Sequence, residues 1–288
     1  MDEAQWLMHE QKHHALVDEW TRPHRLRGAS GVRHPVEDFL FTYYSHRPAR
    51  LRRWHPGAHI ALLGQAARER LDWRWHTEVV LPHGVGVALD VPAYLADRGQ
   101  SVERTLSLLR ATSERPAQLG CFGLHEWAMV HRLSPGEQRH ENWPLRLGQE
   151  GTDAVVEAHP LRCSHFDAFR FFTAAAQPLN VLQPTRESQV RLEQPGCLHA
   201  TMDLYKWAYK LGPAAPSSLT TRCFALARDV RELDMRASPY DLRALGYEPV
   251  PIETAHGRAE YVARQRQFAA RGQALRTELI EVCQHLVA

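Results

Sequence analysis

Apolar residues recur along most of the chain at intervals of three and four, the period of a helix that buries one face. Residues 2–20 carry Trp6, Leu7, Ala15, Leu16 and Trp20 among charges and read as an amphipathic helix. A basic, glycine-containing link runs from Arg22 to Arg33. Pro35 then suits the first position of a helix holding Phe39, Phe41, Tyr43 and Tyr44. Further helices are expected over 101–113, 118–132, 164–175, 197–211, 217–235 and 258–287. β-Branched residues around Pro82 and Gly84 predict a hairpin near 77–91. A second is expected near 143–159, where WPLRL and AVVEAH flank a turn signal at Gly148 to Thr152. The pattern therefore predicts a mainly α fold, one domain over 1–288. The terminal helices 2–20 and 258–287 pack on it, and two short β-hairpins are inserted.

Composition narrows the class. The hydrophobic share is 44% and the charged share 24%, which suits a soluble globular chain and excludes a coiled coil or a disordered one. Lys+Arg 35 against Asp+Glu 33 leaves only +2, so no general basic field points to nucleic acid. The cations are nearly all arginine, with lysine only at 12, 206 and 210. Five cysteines, odd in number and never as CxxC, read as free thiols in a reducing compartment. The acidic, then His-rich start is unlike a secretory signal, and no run approaches the ~20 apolar residues of a membrane span. A cytoplasmic protein with no membrane partner is expected.

Several standard motifs are absent. Gly84-Val85-Gly86 lacks the third glycine of a dinucleotide fingerprint, and neither a P-loop nor a GxSxG elbow occurs. HEWAMVH places His125 and His131 six apart, so on a helix they diverge by roughly 120° and cannot hold zinc as a zincin does.

Three segments carry candidate chemistry. His165-Phe166-Asp167, with His199 later, spells the ligand set of a non-haem iron site, a two-histidine, one-carboxylate triad. The plainer alternative makes Ser164 a helix N-cap with Asp167 in the first turn. On the predicted helix 197–211, His199, Asp203, Lys206 and Lys210 form one polar stripe, and a histidine four before an aspartate can be oriented by it. The same stripe can also be a solvated face. The third segment is GCFGLHEW, where glycines precede His125 and Glu126, and a glutamate beside Trp127 suits a general acid or base. Arg231 to Arg236, with alternating charges, reads as an intrachain salt-bridge cluster.

The segments HPVEDFLFTYYSHRPARLRRWHPG, GCFGLHEWAMVHR, CSHFDAFRFFT, EQPGCLHATMDLYKWAYKL and ELDMRASPYDL together resemble a family of actinobacterial proteins known as 3-methyladenine DNA glycosylases. The resemblance implies hydrolysis of the N-glycosidic bond of an alkylated base, flipped from DNA into an aromatic pocket. Trp127, Tyr205, Trp207 and Tyr240 would then stack on the base. Glu126 or Asp203 would activate water, with His125 beside them, and Arg50, Arg52 and Arg53 would grip phosphates. The alternative is an enzyme that uses a divalent metal on a small molecule, holding the ion through His165, Asp167 and His199. Its support is the 18 histidines and the pairing of imidazole with carboxylate in three segments.

Overall fold

The computed structural model describes residues 1–82, 84–134 and 143–288. In chain order its elements are α1 (Glu3–Ala29), α2 (Phe39–Tyr43), α3 (Pro48–Arg52), β1 (Leu62–Leu63), β2 (His76–Leu81), β3 (Gly84–Leu89) and α4 (Val91–Ser113). There follow α5 (Leu124–Ala128), α6 (Gly148–Ala158), α7 (Phe166–Phe169), α8 (Gln189–Leu192), α9 (Leu198–Lys210), α10 (Ser217–Arg236) and α11 (Ala255–Val287). Helix accounts for 59% and strand for 6%, so the fold is mainly α, as the periodicity predicts. None of these helices is long and apolar enough to cross a membrane. Contacts gather the chain into two compact units. The first comprises 1–109, 204–225 and 275–288, and the second 110–203 and 226–274.

In the first unit, the Asp2 carboxylate caps α1 by accepting the Gln5 N–H at 2.8 Å. The helix does not stop at Trp20. It continues through Pro23 to Ala29, replacing the expected basic link. Two forces carry it past the proline: its buried row Trp6, His13, Val17 and Thr21 runs to the last turns. Beyond them His24 and Arg27 both bind the Asp38 carboxylate. Asp38 also accepts the His34 N–H at 2.8 Å, closing a turn where the sequence suggests that a helix starts at Pro35. Only Phe39–Tyr43 is helical there. The hairpin expected near 77–91 is present as β2 and β3, paired antiparallel from His76↔Leu89 to Leu81↔Gly84, and β1 adds to the other edge of β3. Trp6, Trp54, Leu62, Ala67 and Val87 form a core cluster beside this sheet.

The second expected hairpin is corrected. Residues 148–158 form helix α6, which buries Thr152, Val155 and Val156 at i, i+3 and i+4. The β-branched pair obeys the helical period, and the glycine-rich turn signal is the helix's first turn. Only an isolated bridge, Leu145 with Tyr240, is strand-like. Two other helices are shorter than expected. Positive φ at Phe122 (48°) and Gly123 (74°) delays α5 to Leu124, and α7 is a single turn.

Candidate functional site

The second unit holds a buried chain of ionisable side chains. His125 and Glu126 come from α5, His165 sits at the N-cap of α7, and Glu193 follows α8. His199 and Asp203 lie one turn apart on α9, and Arg231 and Asp234 one turn apart on α10. All eight are buried. Gly123 sets the approach of α5. A Cβ there would meet the Tyr261 ring at 3.3 Å and Ala237 at 3.4 Å, at a φ that disfavours any other residue.

His199 stands at the centre. Its ring lies 4.5 Å from that of His125, edge on, and 5.3 Å from that of His165, stacked. On one side His125 Nε2 donates to Asp234 Oδ1 at 2.8 Å. Arg231 Nη1 bridges Asp234 Oδ2 (3.0 Å) and Glu126 Oε1 (2.8 Å). On the other side His165 Nε2 lies 3.2 Å from Asp203 Oδ2 and 3.5 Å from Glu193 Oε1. Charge needs such partners, since an isolated ion in this interior would be costly.

The electrostatics separate the imidazoles. Burial alone would push His125 down, but the Asp234 carboxylate outweighs it and raises His125 well above its ordinary value. Burial likewise works against the Asp234 charge, yet His125, His199 and Arg231 hold its carboxyl below the carboxylate range. His199 is pushed well below its ordinary value by burial and by the neighbouring His125. Asp234 thus favours the protonated form of His125, a proton that an ion binding there would displace, while burial favours the neutral form of His199, which keeps a lone pair for a ligand.

Beside them is a void of about 10 Å³, lined by Cys121, His125, Cys163, Cys197, His199 and Gln265 among others. That is the size of one water. Gln265 Nε2 donates to the Gly196 carbonyl at 2.6 Å, while its Oε1 is buried with no hydrogen-bond partner among the described residues. Burial pushes the Cys163 and Cys197 thiols up, away from thiolate chemistry. Cys121 Sγ lies 3.6 Å from His125 Nδ1.

Two trios bring donor atoms within 4.8 Å of one another: His125, His199 and Asp234, and next to them His165, Glu193 and Asp203. Imidazole with carboxylate suits zinc, iron, manganese or cobalt. The structure thus brings His125, Glu126, His165, His199 and Asp203 together, as the sequence suggests, but groups them with different partners. Asp167 belongs to neither trio; it pairs with Arg170 at 3.3 Å, the local partner that a helix offers. The carboxylates grouped with His165 are Glu193 and Asp203, and the one grouped with His199 is Asp234. Ser164 is not the N-cap, a position held by His165 without a side-chain cap.

The expected stacking residues are placed otherwise. Trp127 is fully buried and donates to the Ala237 carbonyl at 2.8 Å. Tyr205 is buried in the first unit against Phe224, and Tyr240 is buried at the bridge to Leu145. Trp207 is half-buried beneath the ammonium groups of Lys206 and Lys210. Arg53 is exposed in the first unit, 4.8 Å from the Trp73 ring centroid. Arg231, Asp234 and Glu193 escape the sequence reading as site residues. A signal for Asp234 did exist, since Leu233 and Met235 flank it and Val230 lies one turn before. Comparison of the chain with protein-family models, with curated proteins and with solved structures finds no match.

Proposed function

We propose that this protein is a divalent-metal-dependent enzyme acting on a small molecule, with His125, His199 and Asp234 as the ligands. The observation that carries the reading is the first trio itself. Two imidazoles and a carboxylate converge within 4.8 Å, and both imidazoles line a water-sized void. Such a set holds an ion on one face and leaves positions for water or substrate. A bound divalent ion would supply Lewis-acid activation of that water or substrate.

The surrounding groups fit supporting roles. Arg231 fixes Asp234 through Oδ2, and Asp203 and Glu193 hold His165 against His199. Outer partners of this kind orient the ligands. His165, Glu193 and Asp203 offer a second position for an ion beside the first. The N-glycosidase reading rests on the family resemblance. Its stacking candidates Trp127, Tyr205 and Tyr240 are buried, so a flipped base would have to displace core side chains.

The test is metal content. Protein purified without chelator from cells supplied with iron, manganese and zinc should carry close to one equivalent by elemental analysis. His199→Gln combined with Asp234→Asn should lose it while remaining folded by circular dichroism. Wild-type protein that holds no ion, and takes up none on titration, would sink the reading.

A further inference from the structure

The first unit contains a cleft of about 400 Å³ whose lining is cationic and aromatic and includes no carboxylate. We propose that this cleft binds a nucleoside phosphate, with Arg50 and Arg53 on the phosphate and Trp73 and Tyr209 beside the base. The volume is at the lower end of the roughly 300–1,000 Å³ typical of small-molecule sites.

The sequence builds the cationic wall locally. Pro48 opens α3, Leu51 is its buried contact, and Arg50 and Arg53 follow three apart on the face that lines the cleft. Arg52 faces elsewhere and is tied to Asp18 through Nε at 2.9 and 3.0 Å. Among the described residues neither Arg50 nor Arg53 has a carboxylate partner, so both guanidiniums keep their donors for a ligand. Arg74 also lines the cleft but is engaged by Asp97 at 2.8 Å. A guanidinium is the side chain best matched to phosphate, because its parallel N–H groups meet two oxygens at once.

The floor is rigid. The His55 N–H donates to Ser217 Oγ at 2.8 Å, and its carbonyl accepts the Ser217 N–H at 3.0 Å. Gly57 lets the chain pass close to Ala214, where a Cβ would lie 3.3 Å from the carbonyl oxygen. The His55 ring keeps a buried Nδ1 with no hydrogen-bond partner among the described residues, an unmet polar group in this wall. Burial and the Arg70 guanidinium push His55 down to about 3, and burial with Arg50 pushes His46 down to about 4. Both rings are therefore neutral and act as aromatic walls with polar edges. His46 stacks on Tyr209 at 4.3 Å, and His55 meets Trp73 edge-on at 5.4 Å. A lining of this kind offers aromatic rings to a base and hydrogen-bond donors to an anion, although the Trp73 ring already carries Arg70 at 4.0 Å and Arg53 at 4.8 Å from its centroid. A purely inorganic anion would use only half of it.

The test is calorimetric titration of the full-length protein with adenosine 5′-monophosphate, adenosine and inorganic phosphate in low salt. The mononucleotide should bind, and each of the other two should bind at least about tenfold more weakly, because each offers only one of the two interactions. Arg50→Gln and Arg53→Gln, both at exposed side chains, should each weaken the mononucleotide about tenfold or more. Arg52→Gln removes the same charge outside the cleft and should leave binding within about twofold of wild type. Any of three results would overturn the proposal. The first is no binding of the mononucleotide at about 1 mM. The second is adenosine or phosphate binding as tightly as the nucleotide. The third is Arg52→Gln weakening binding as much as Arg53→Gln does, which would mean a general charge effect.

Discussion

Replacing Arg231 with methionine tests whether the buried chain is an electrostatic unit. The guanidinium is 1% exposed and one of its nitrogens, Nη1, reaches both Glu126 Oε1 and Asp234 Oδ2. Methionine fills similar space, so the loss is of charge rather than volume. Asp234 would retain its hydrogen bond from His125 at 2.8 Å, leaving Glu126 as the main uncompensated ion. Removing one partner of a buried pair costs about 3–5 kcal/mol, and the remaining His125 contact favours the lower end. At about 2–4 °C per kcal/mol for a chain of comparable size, the melting temperature should drop by about 6–20 °C. Thermal melts followed by circular dichroism at pH 7 give the number. Adding Glu126→Gln should recover more than half the loss, since it neutralises the orphan. Arg271→Met is the control, because its pair with Asp229 at 2.6 Å is half exposed on both sides and should contribute about 0–1 kcal/mol. Should Arg231→Met melt within about 2 °C of wild type, no greater than that surface pair, the network is not energetically coupled. Metal affinity should also fall about 10–100-fold in Arg231→Met, because Asp234 loses its second orienting contact.

Three other outcomes follow from named contacts. Asp203→Asn should cost about 1–3 kcal/mol by weakening the buried bond to His165, and should lower metal affinity. If melting and metal titration both match wild type, Asp203 leaves the site. Gly123→Ala should cost about 1–3 kcal/mol because its φ of 74° disfavours a Cβ that would also press on Tyr261, and an unchanged melting temperature would refute this. Burial opposes the charge on Asp38, but Arg27, His24 and the His34 N–H outweigh it and hold its carboxyl below the usual range. A carboxyl with a depressed folded pKa adds stability above its unfolded value near ~3.9 and loses it as pH falls through the folded one. The gap between wild type and Asp38→Asn should therefore be about 1 kcal/mol at pH 7, since the Arg27 pair is partly in solvent, and should narrow in acid. Melts from pH 7 downward that show a constant gap would exclude the ionic account.

Local spacing in the sequence determined much of the fold. Apolar period specified the helical class, and β-branched residues around a proline and a glycine specified the hairpin paired from His76 to Leu89. It also marked His125, Glu126, His165, His199 and Asp203, because imidazoles and carboxylates close in sequence are visible as pairs. Tertiary structure decided which pairs matter. His125 finds Asp234 109 residues away, Glu126 finds Arg231 at 105, and Asp203 turns to His165, 38 residues earlier. Helical spacing records neighbours at three and four, so it couples His199 to Asp203 and Asp167 to Arg170 and is blind to the rest. The same limit explains α6, where two valines and a threonine look like a strand until another surface covers one side of them. It explains α9 as well. Its charged stripe is compatible with solvent, and only the packing of α5, α7 and α10 residues around His199 and Asp203 makes its first half an interior, while Lys206 is half-buried and Lys210 exposed. Burial is a property of two surfaces meeting, and a sequence read one segment at a time contains only one of them.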